Sequence, residues 1–345
     1  MRFFFGPQTL AVAVTAALLA GCGGAISPAP LGATAPSTAA QLRSGAGAAM
    51  AHSFQVHANA ARSWMAPDAK KANTLLYVAD EGANVVDVYS YPGGKLKGTL
   101  TGFETPTGVC SDKKGNVYIL NGASESLEVY AHGASSPTEQ LEVPGYPEFT
   151  CSVDPTTGNL ALSVLAGSCG YCIVIFPKGS QTPTTYMPSG QTGLPGCGYD
   201  NKGNLYCSAY GASDAFALYE LPKGSKTVGT ISVNASGILA GPGQWDGTNF
   251  TVGSGAGSTL YQIKISGSSG SVAGSTILSG AGQVWQFWIT KNLGGKKHKG
   301  LRVIGPTTTS NSGIVGYWSY PAGGAATNTI VGLDQPDGAA LSTKK

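Results

Sequence analysis

The sequence predicts an all-β fold, a six-bladed β-propeller closed by its C-terminal strand, and three observations carry that expectation. The first is a repeat. Six times the chain runs through an apolar stretch, a short polar loop, a second apolar stretch and a Pro/Gly/Ser turn. The turns are Tyr91-Pro92-Gly93-Gly94, Ala131-His132-Gly133-Ala134, Phe176-Pro177-Lys178-Gly179, Leu221-Pro222-Lys223-Gly224, Ser266-Gly267-Ser268-Ser269 and Tyr320-Pro321-Ala322-Gly323. Marked at residues 92, 132, 177, 222, 267 and 321, the steps by subtraction are 40, 45, 45, 45 and 54. A period of roughly 40 to 50 residues built from short strands is that of a propeller blade. The second observation is composition: charged residues make up 11% of the chain, while 51 glycines and 20 prolines supply a turn every few residues, against roughly 25% charge in average domains. The third is a mismatch between the ends. The first repeat has no strand in front of Leu75, and Gln335-Pro336-Asp337-Gly338-Ala339-Ala340-Leu341-Ser342 is a surplus strand that fits there.

In chain order, residues 1–21 read as a targeting segment. Arg2 gives a minimal positive region, and Leu10 to Ala20 is an apolar run too short to span a bilayer. It ends in Leu19-Ala20-Gly21-Cys22, which resembles the bacterial lipobox. The resemblance implies cleavage before Cys22 and a lipid on its thiol, hence an extracytoplasmic protein anchored to a bacterial membrane. Residues 22–71, rich in Ala, Ser, Pro, Thr and Gly, read as a tether. Residues 72–345 are the expected propeller, a length that folds as one domain in this architecture.

Each blade has strands A to D. Strand B is Leu75–Val78, Val117–Leu120, Leu160–Ser163, Leu205–Ser208, Phe250–Val252 and Leu301–Ile304 in turn; strand C follows, as in Val85–Tyr89, Leu127–Tyr130 and Ile173–Phe176. Their β-branched and aromatic residues suit strands packed on both faces. Strand A precedes B across a tight turn, clearest at Pro106–Asp112, Pro147–Asp154 and Pro195–Asp200. In Asp112-Lys113-Lys114-Gly115-Asn116 and Asp200-Asn201-Lys202-Gly203-Asn204 the aspartate opens the turn and glycine takes the positive φ, so these acids are expected to form turns rather than to catalyse.

Pro-x-Gly-Val-x-x-Asp-x-x-Gly-Asn-Val-Tyr-Ile, at Pro106 to Ile119, resembles the repeat of NHL-type six-bladed propellers, a group similar to the gluconolactonase and streptogramin-lyase propellers. The resemblance spans roughly residues 72 to 342. It implies the fold and leaves the chemistry open, because such propellers host binding modules, scaffolds and enzymes.

Strand direction alternates within a blade, so B–C and D–A loops share one end of the molecule and A–B and C–D turns the other. The loop end collects the candidate ligand-binding residues Glu81, Glu104, Asn121, Tyr146, Glu148, Tyr171, Tyr210, Trp285 and Asp337, together with Asp80, Asn84, Ser124, Glu125, Asp214, Gln283 and Gln335. Acids, amides and aromatics at a channel mouth equip a pocket for a peptide or a polar small molecule. The related lactonase-like propellers hold a divalent cation in the channel, and here Glu104, Glu148 and Asn121 are the residues for such a set. The flanking Phe103-Glu104-Thr105-Pro106 does not reproduce their motif, so no cofactor is assigned. His52, His57, His132 and His298 lie in the tether and in turns, so no histidine is expected to reach a Ser or Cys nucleophile. Lys296-Lys297-His298-Lys299 reads as a solvated turn.

Besides Cys22 there are six cysteines. Cys197 and Cys207 flank the turn centred on Lys202 symmetrically and should face each other across strands A and B. Cys110 and Cys151 have opposite parity in adjacent A strands and are candidates for a staple between blades two and three. Cys169 and Cys172 then form a small loop disulfide; other pairings stay open, six cysteines allowing fifteen.

The leading expectation is a monomeric, lipid-anchored binding propeller that takes an envelope protein, a peptide or a small polar ligand at its loop end. A metal-dependent hydrolase or lyase and a structural envelope scaffold are the alternatives. A net charge of +3 excludes nucleic acid as the expected partner.

Overall fold

The computed structural model describes residues 62–143, 148–164, 168–291, 300–309 and 312–344. The leader, Cys22, the tether to residue 61, Tyr146 and the 296–299 cluster lie outside the described residues, and of Glu148 only the backbone is described. The described chain is nearly all β, its helical content being three single 3₁₀ turns.

The strands form antiparallel sheets in chain order. The first contains Thr74–Asp80, Val85–Ser90 and Leu96–Leu100, and its inner edge is completed by the C-terminal strand Pro336–Thr343, paired antiparallel with Thr74–Asp80 from Thr74 opposite Thr343 to Asp80 opposite Pro336. The second holds Pro106–Ser111, Val117–Asn121, Ser126–Tyr130 and Glu139–Glu142, and the third Glu148–Val153, Leu160–Val164, Cys172–Phe176 and Thr184–Tyr186. The remaining strands join one hydrogen-bonded path, because the long outer strand Ser269–Ser279 touches Gly229–Asn234 and Gly323–Leu333 in parallel.

The folded body begins before residue 72, which corrects the expected tether boundary. Trp64–Met65 adds a fifth strand against Leu96–Leu100, and Ala69 is buried. Gly98 permits this, since a Cβ there would run into Met65 Sδ and the Trp64 carbonyl.

The core is a series of apolar wedges between neighbouring sheets. Tyr77, Val88 and Leu100 meet Val109 and Ile119; Leu120 and Val129 meet Leu162 and Val174; Ile173 meets Leu205 and Tyr219. Leu218 and Tyr206 meet Phe250, and Leu260 meets Val303 and Trp318. The last wedge sets Ile304, Val315 and Tyr317 against Leu76, Val78 and Tyr89 of the first sheet. Each fully buried Leu, Ile or Phe contributes about 1.5 to 3 kcal/mol, so stability resides in these interfaces more than within any one sheet.

Three disulfides lie between Cys110 and Cys207, in the second and third sheets and the strand pair that follows them. Cys197–Cys207 crosses one strand pair (Cα–Cα 4.1 Å), Cys110–Cys151 joins the inner strands of the second and third sheets (Cα–Cα 5.7 Å), and Cys169–Cys172 closes a loop.

Candidate functional site

The inner strands surround a channel, and the sequence Val284-Trp285-Gln286-Phe287-Trp288 crosses it. Pairing with Leu301–Thr309 is interrupted between Val284 and Trp288, and the freed residues turn inward. Gln286 is buried; its Oε1 accepts the Val109 N–H at 2.6 Å, its Nε2 donates to the Cys151 carbonyl at 3.2 Å, and its own N–H donates to the Asp337 carbonyl at 3.0 Å. Trp288 packs on three wedges at once: first with second, second with third, last with first. One amide thus bonds the inner strands of three sheets together, and Gln286 and Trp288 line a cavity of about 190 Å³ with Cys110, Cys151 and Cys197. Gly338 is needed at this level, because a Cβ would strike the Thr107 carbonyl and lie 2.9 Å from Val109 N.

Asp337, 7% exposed, sits near the start of the C-terminal strand. Among the described residues no hydrogen-bond donor serves its carboxyl. Burial, with the Glu81 charge adding to it, raises its pKa from 3.8 to about 7. Asp80, one residue before Glu81, does the opposite job: both its oxygens are used, accepting Asp334 N–H at 2.9 Å and Gln335 N–H at 2.8 Å. Glu81 Oε2 accepts from Gln335 Nε2 at 2.8 Å. The loop delivering Asp337 is therefore held by two acids while Asp337 itself is left open.

The neighbouring loops are locked together. Asn84 Oδ1 accepts Thr105 N–H, Thr105 Oγ1 accepts Ala123 N–H, and Asn121 Oδ1 accepts Glu104 N–H at 2.6 Å. Asn84, Thr105, Glu125, Ser213 and Asp214 all hold left-handed φ between 49° and 58°, a conformation that costs a non-glycine residue about 1 kcal/mol or more. All five lie at the loop end.

The sequence-predicted residues divide accordingly. Asp337, Glu81 and Gln335 converge at the channel mouth. Glu104 is exposed and accepts from Ser124 Oγ at 3.3 Å, while the Asn121 amide also donates to Glu128, away from the channel. Tyr210 is tied by its hydroxyl to the Ala240 carbonyl at 2.7 Å, and burial raises its pKa. Tyr171 is half-buried, its carbonyl accepting from Gln191; Trp285 is half-buried at the strand break. Among the described residues no group of three or more His, Cys, Asp and Glu side chains is arranged to hold a metal.

The turn end is built from self-contained units. Asp112 Oδ1 accepts the Lys114 and Asn116 N–H groups and Oδ2 the Asn116 amide, and Asp200 repeats the pattern with Lys202 and Asn204. For Asp154, burial pushes the pKa upward, but bonds from Thr157 and Thr156 outweigh it and leave the carboxyl below its ordinary value. His132 meets a serine here. Its Nδ1 is 2.7 Å from Ser342 Oγ and its Nε2 2.8 Å from the Ala72 carbonyl. The C-terminal strand carries Ser342 across 210 positions to meet it, a juxtaposition invisible in chain order. Ser342 is fully buried and bonds the Gly115 carbonyl, so the pair is a latch between sheets and no nucleophile.

Gln286, Trp288 and His132 were not legible as functional positions. The available signal for the first two was the break in strand alternation within an aromatic run.

No protein-family model matches the chain, and no curated protein matches it. A solved chain from the crystal structure of a nidogen/laminin complex is similar in fold: TM-score 0.62 at 10% identity, covering 79% of this chain and 99% of that one. At that identity the likeness concerns the fold alone: the described chain is nearly all β and β-propeller-like.

Proposed function

We propose that the chain is a six-bladed NHL-like propeller, closed by strand Pro336–Thr343 and anchored outside the cytoplasm by a lipid on Cys22, that binds a small polar ligand or peptide segment at its loop end. The observation that carries the binding reading is Asp337, a carboxyl 7% exposed beside Glu81, to which no donor among the described residues is bonded. A buried acid held near neutrality is characteristic of functional sites, and a ligand N–H or O–H would supply the missing partner. Rigid loops would present it without any chemical step. Closure is supported by the pairing of Thr74–Asp80 with the C-terminal strand and by the wedge between the first and last sheets. Peptide segments are included because the similar solved chain comes from a protein complex.

The test is a thermal-shift titration of the wild-type domain and an Asp337→Asn variant against sugars, amino sugars and short peptides, since a ligand of the native state raises Tm with concentration. A saturable rise in the wild type that the variant loses supports the reading; responses equal in both overturn it. The like-charged Asp337 and Glu81 favour a second reading, a divalent cation shared by both carboxylates. Calcium and magnesium arms of the same titration decide it. For the anchor, Cys22→Ala should move the protein from the membrane fraction to the soluble one.

A further inference from the structure

We infer that the cleft between the first and second sheets is a separate ligand site, and that it takes a small organic ammonium ion on Glu128. The cleft has a volume of about 540 Å³, within the range of small-molecule sites. Neither Asp337 nor Glu81 lines it: it lies between the Thr101–Phe103 segment and the strand Ser126–Tyr130, with Asn121 and Ser124 at its loop-end side.

Glu128 lines it in an unusual state. Oε1 accepts from Ser126 Oγ at 2.9 Å and from the Asn121 amide at 3.4 Å, whereas Oε2 is buried and has no donor. Burial, reinforced by the charge of Glu142, disfavours its ionised form. A buried carboxylate oxygen needs a partner, and no lysine, arginine or histidine is among the described residues lining the cleft. The occupant must therefore bring both the N–H and the positive charge. Two rings complete the lining: Phe103 and Tyr130, centroids 6.3 Å apart, both border the cleft, and an ammonium group is favoured over the face of either ring. Asn121 is fixed by the Glu104 N–H, so the acceptor side is organised before binding. The Ser135 and Ser136 hydroxyls at the rim suit an amine on a short hydroxylated skeleton.

The experiment uses the full chain and three probes: ethanolamine, its uncharged counterpart ethylene glycol, and acetate. Saturable binding is read by calorimetry and by chemical shifts of the Ser126–Tyr130 amides. Ethanolamine should bind, the other two should not, and Glu128→Gln should weaken ethanolamine at least about tenfold, as expected for losing a charge-assisted bond. Ser136→Trp, which fills the exposed mouth without touching Glu128, should abolish binding in a folded protein. Asp337→Asn should leave ethanolamine binding intact, which separates this site from the channel mouth. No saturable binding of ethanolamine, equal binding of ethylene glycol, or undiminished binding in Glu128→Gln would each overturn the inference.

Discussion

At the turn end, Asp112, Asp200 and Asp246 each bind backbone N–H groups two to four residues ahead, and the positive φ angles fall on glycines such as Gly115 and Gly203. At the loop end, Asn84, Thr105, Glu125, Ser213 and Asp214 bear positive φ themselves. One end relaxes its backbone with the residue types that turns prefer. The other keeps non-glycine residues in conformations they disfavour, and at Asn84 and Thr105 the strained backbone is tied by cross-loop bonds. The acids follow the same division: Asp112 and Asp200 are fully used by their turns, while Asp337 has no donor. The turn end is therefore organised for stability, and the loop end carries backbone strain of the kind that the proposed binding role would use.

The largest effect should come from removing what both ends share. Deleting Pro336–Lys345 strips the inner strand from the first sheet, the Ser111 bond to the Leu341 carbonyl and the His132 contact, and should abolish the cooperative urea transition. Next, Gln286→Ala leaves Val109 N–H and the Cys151 carbonyl unpartnered above a new cavity. It should cost about 3 to 5 kcal/mol in urea unfolding, and hydrogen exchange should rise in all three bonded inner strands.

The pH dependences of the two ends should have opposite signs. Asp337 has a folded pKa above its unfolded one, so its stabilising contribution is complete below pH 3.8 and is lost as pH rises through about 7. The gap corresponds to ~4 kcal/mol at most, and Asp337→Asn should recover about 2 to 4 kcal/mol at pH 8 while leaving pH 4 stability nearly unchanged. His132 is lowered by burial against a raising bond from Ala72, so its contribution is present above its ordinary 6.5 and is lost as pH falls. His132→Gln should flatten the acid side of the same profile. Melting curves from pH 4 to 9 read both.

The smallest changes sharpen the contrast in strain. Asp112→Ala should destabilise by about 1 to 2 kcal/mol, because three bonds to its turn disappear. Asp214→Gly, at an exposed φ of 58°, should stabilise by about 0.5 to 1 kcal/mol. If both substitutions destabilise alike, the division between the ends fails.

Much of the fold was legible because it repeats. The apolar runs at Leu75, Val117, Leu160, Leu205, Phe250 and Leu301 all became strands, and the surplus strand at Pro336 pairs where the missing one was needed. Turn symmetry pointed to Cys197–Cys207 and side-chain parity to Cys110–Cys151, while Cys169–Cys172 was the pair left over and other pairings stayed open in the sequence. The site was less legible. Loop position identified Asp337 and Glu81, but nothing local distinguishes Asp337, left without a donor, from Asp80, saturated by two backbone N–H groups. Their difference arises from the path of a strand more than two hundred residues away. Trp64–Met65 was hidden for a similar reason: two residues cannot show a period, and their place depends on Gly98 across the sheet.

The account rests on a carboxyl that the fold buries and leaves open. Its most direct test is a carbon-detected NMR titration of the Asp337 side chain in the wild-type domain. A midpoint near pH 7, moving down when a hydrogen-bonding ligand occupies the mouth, is the predicted result. A midpoint near 3.8 would mean that Asp337 is solvated or bonded like the turn aspartates, and would contradict the assignment of the loop end as a binding site.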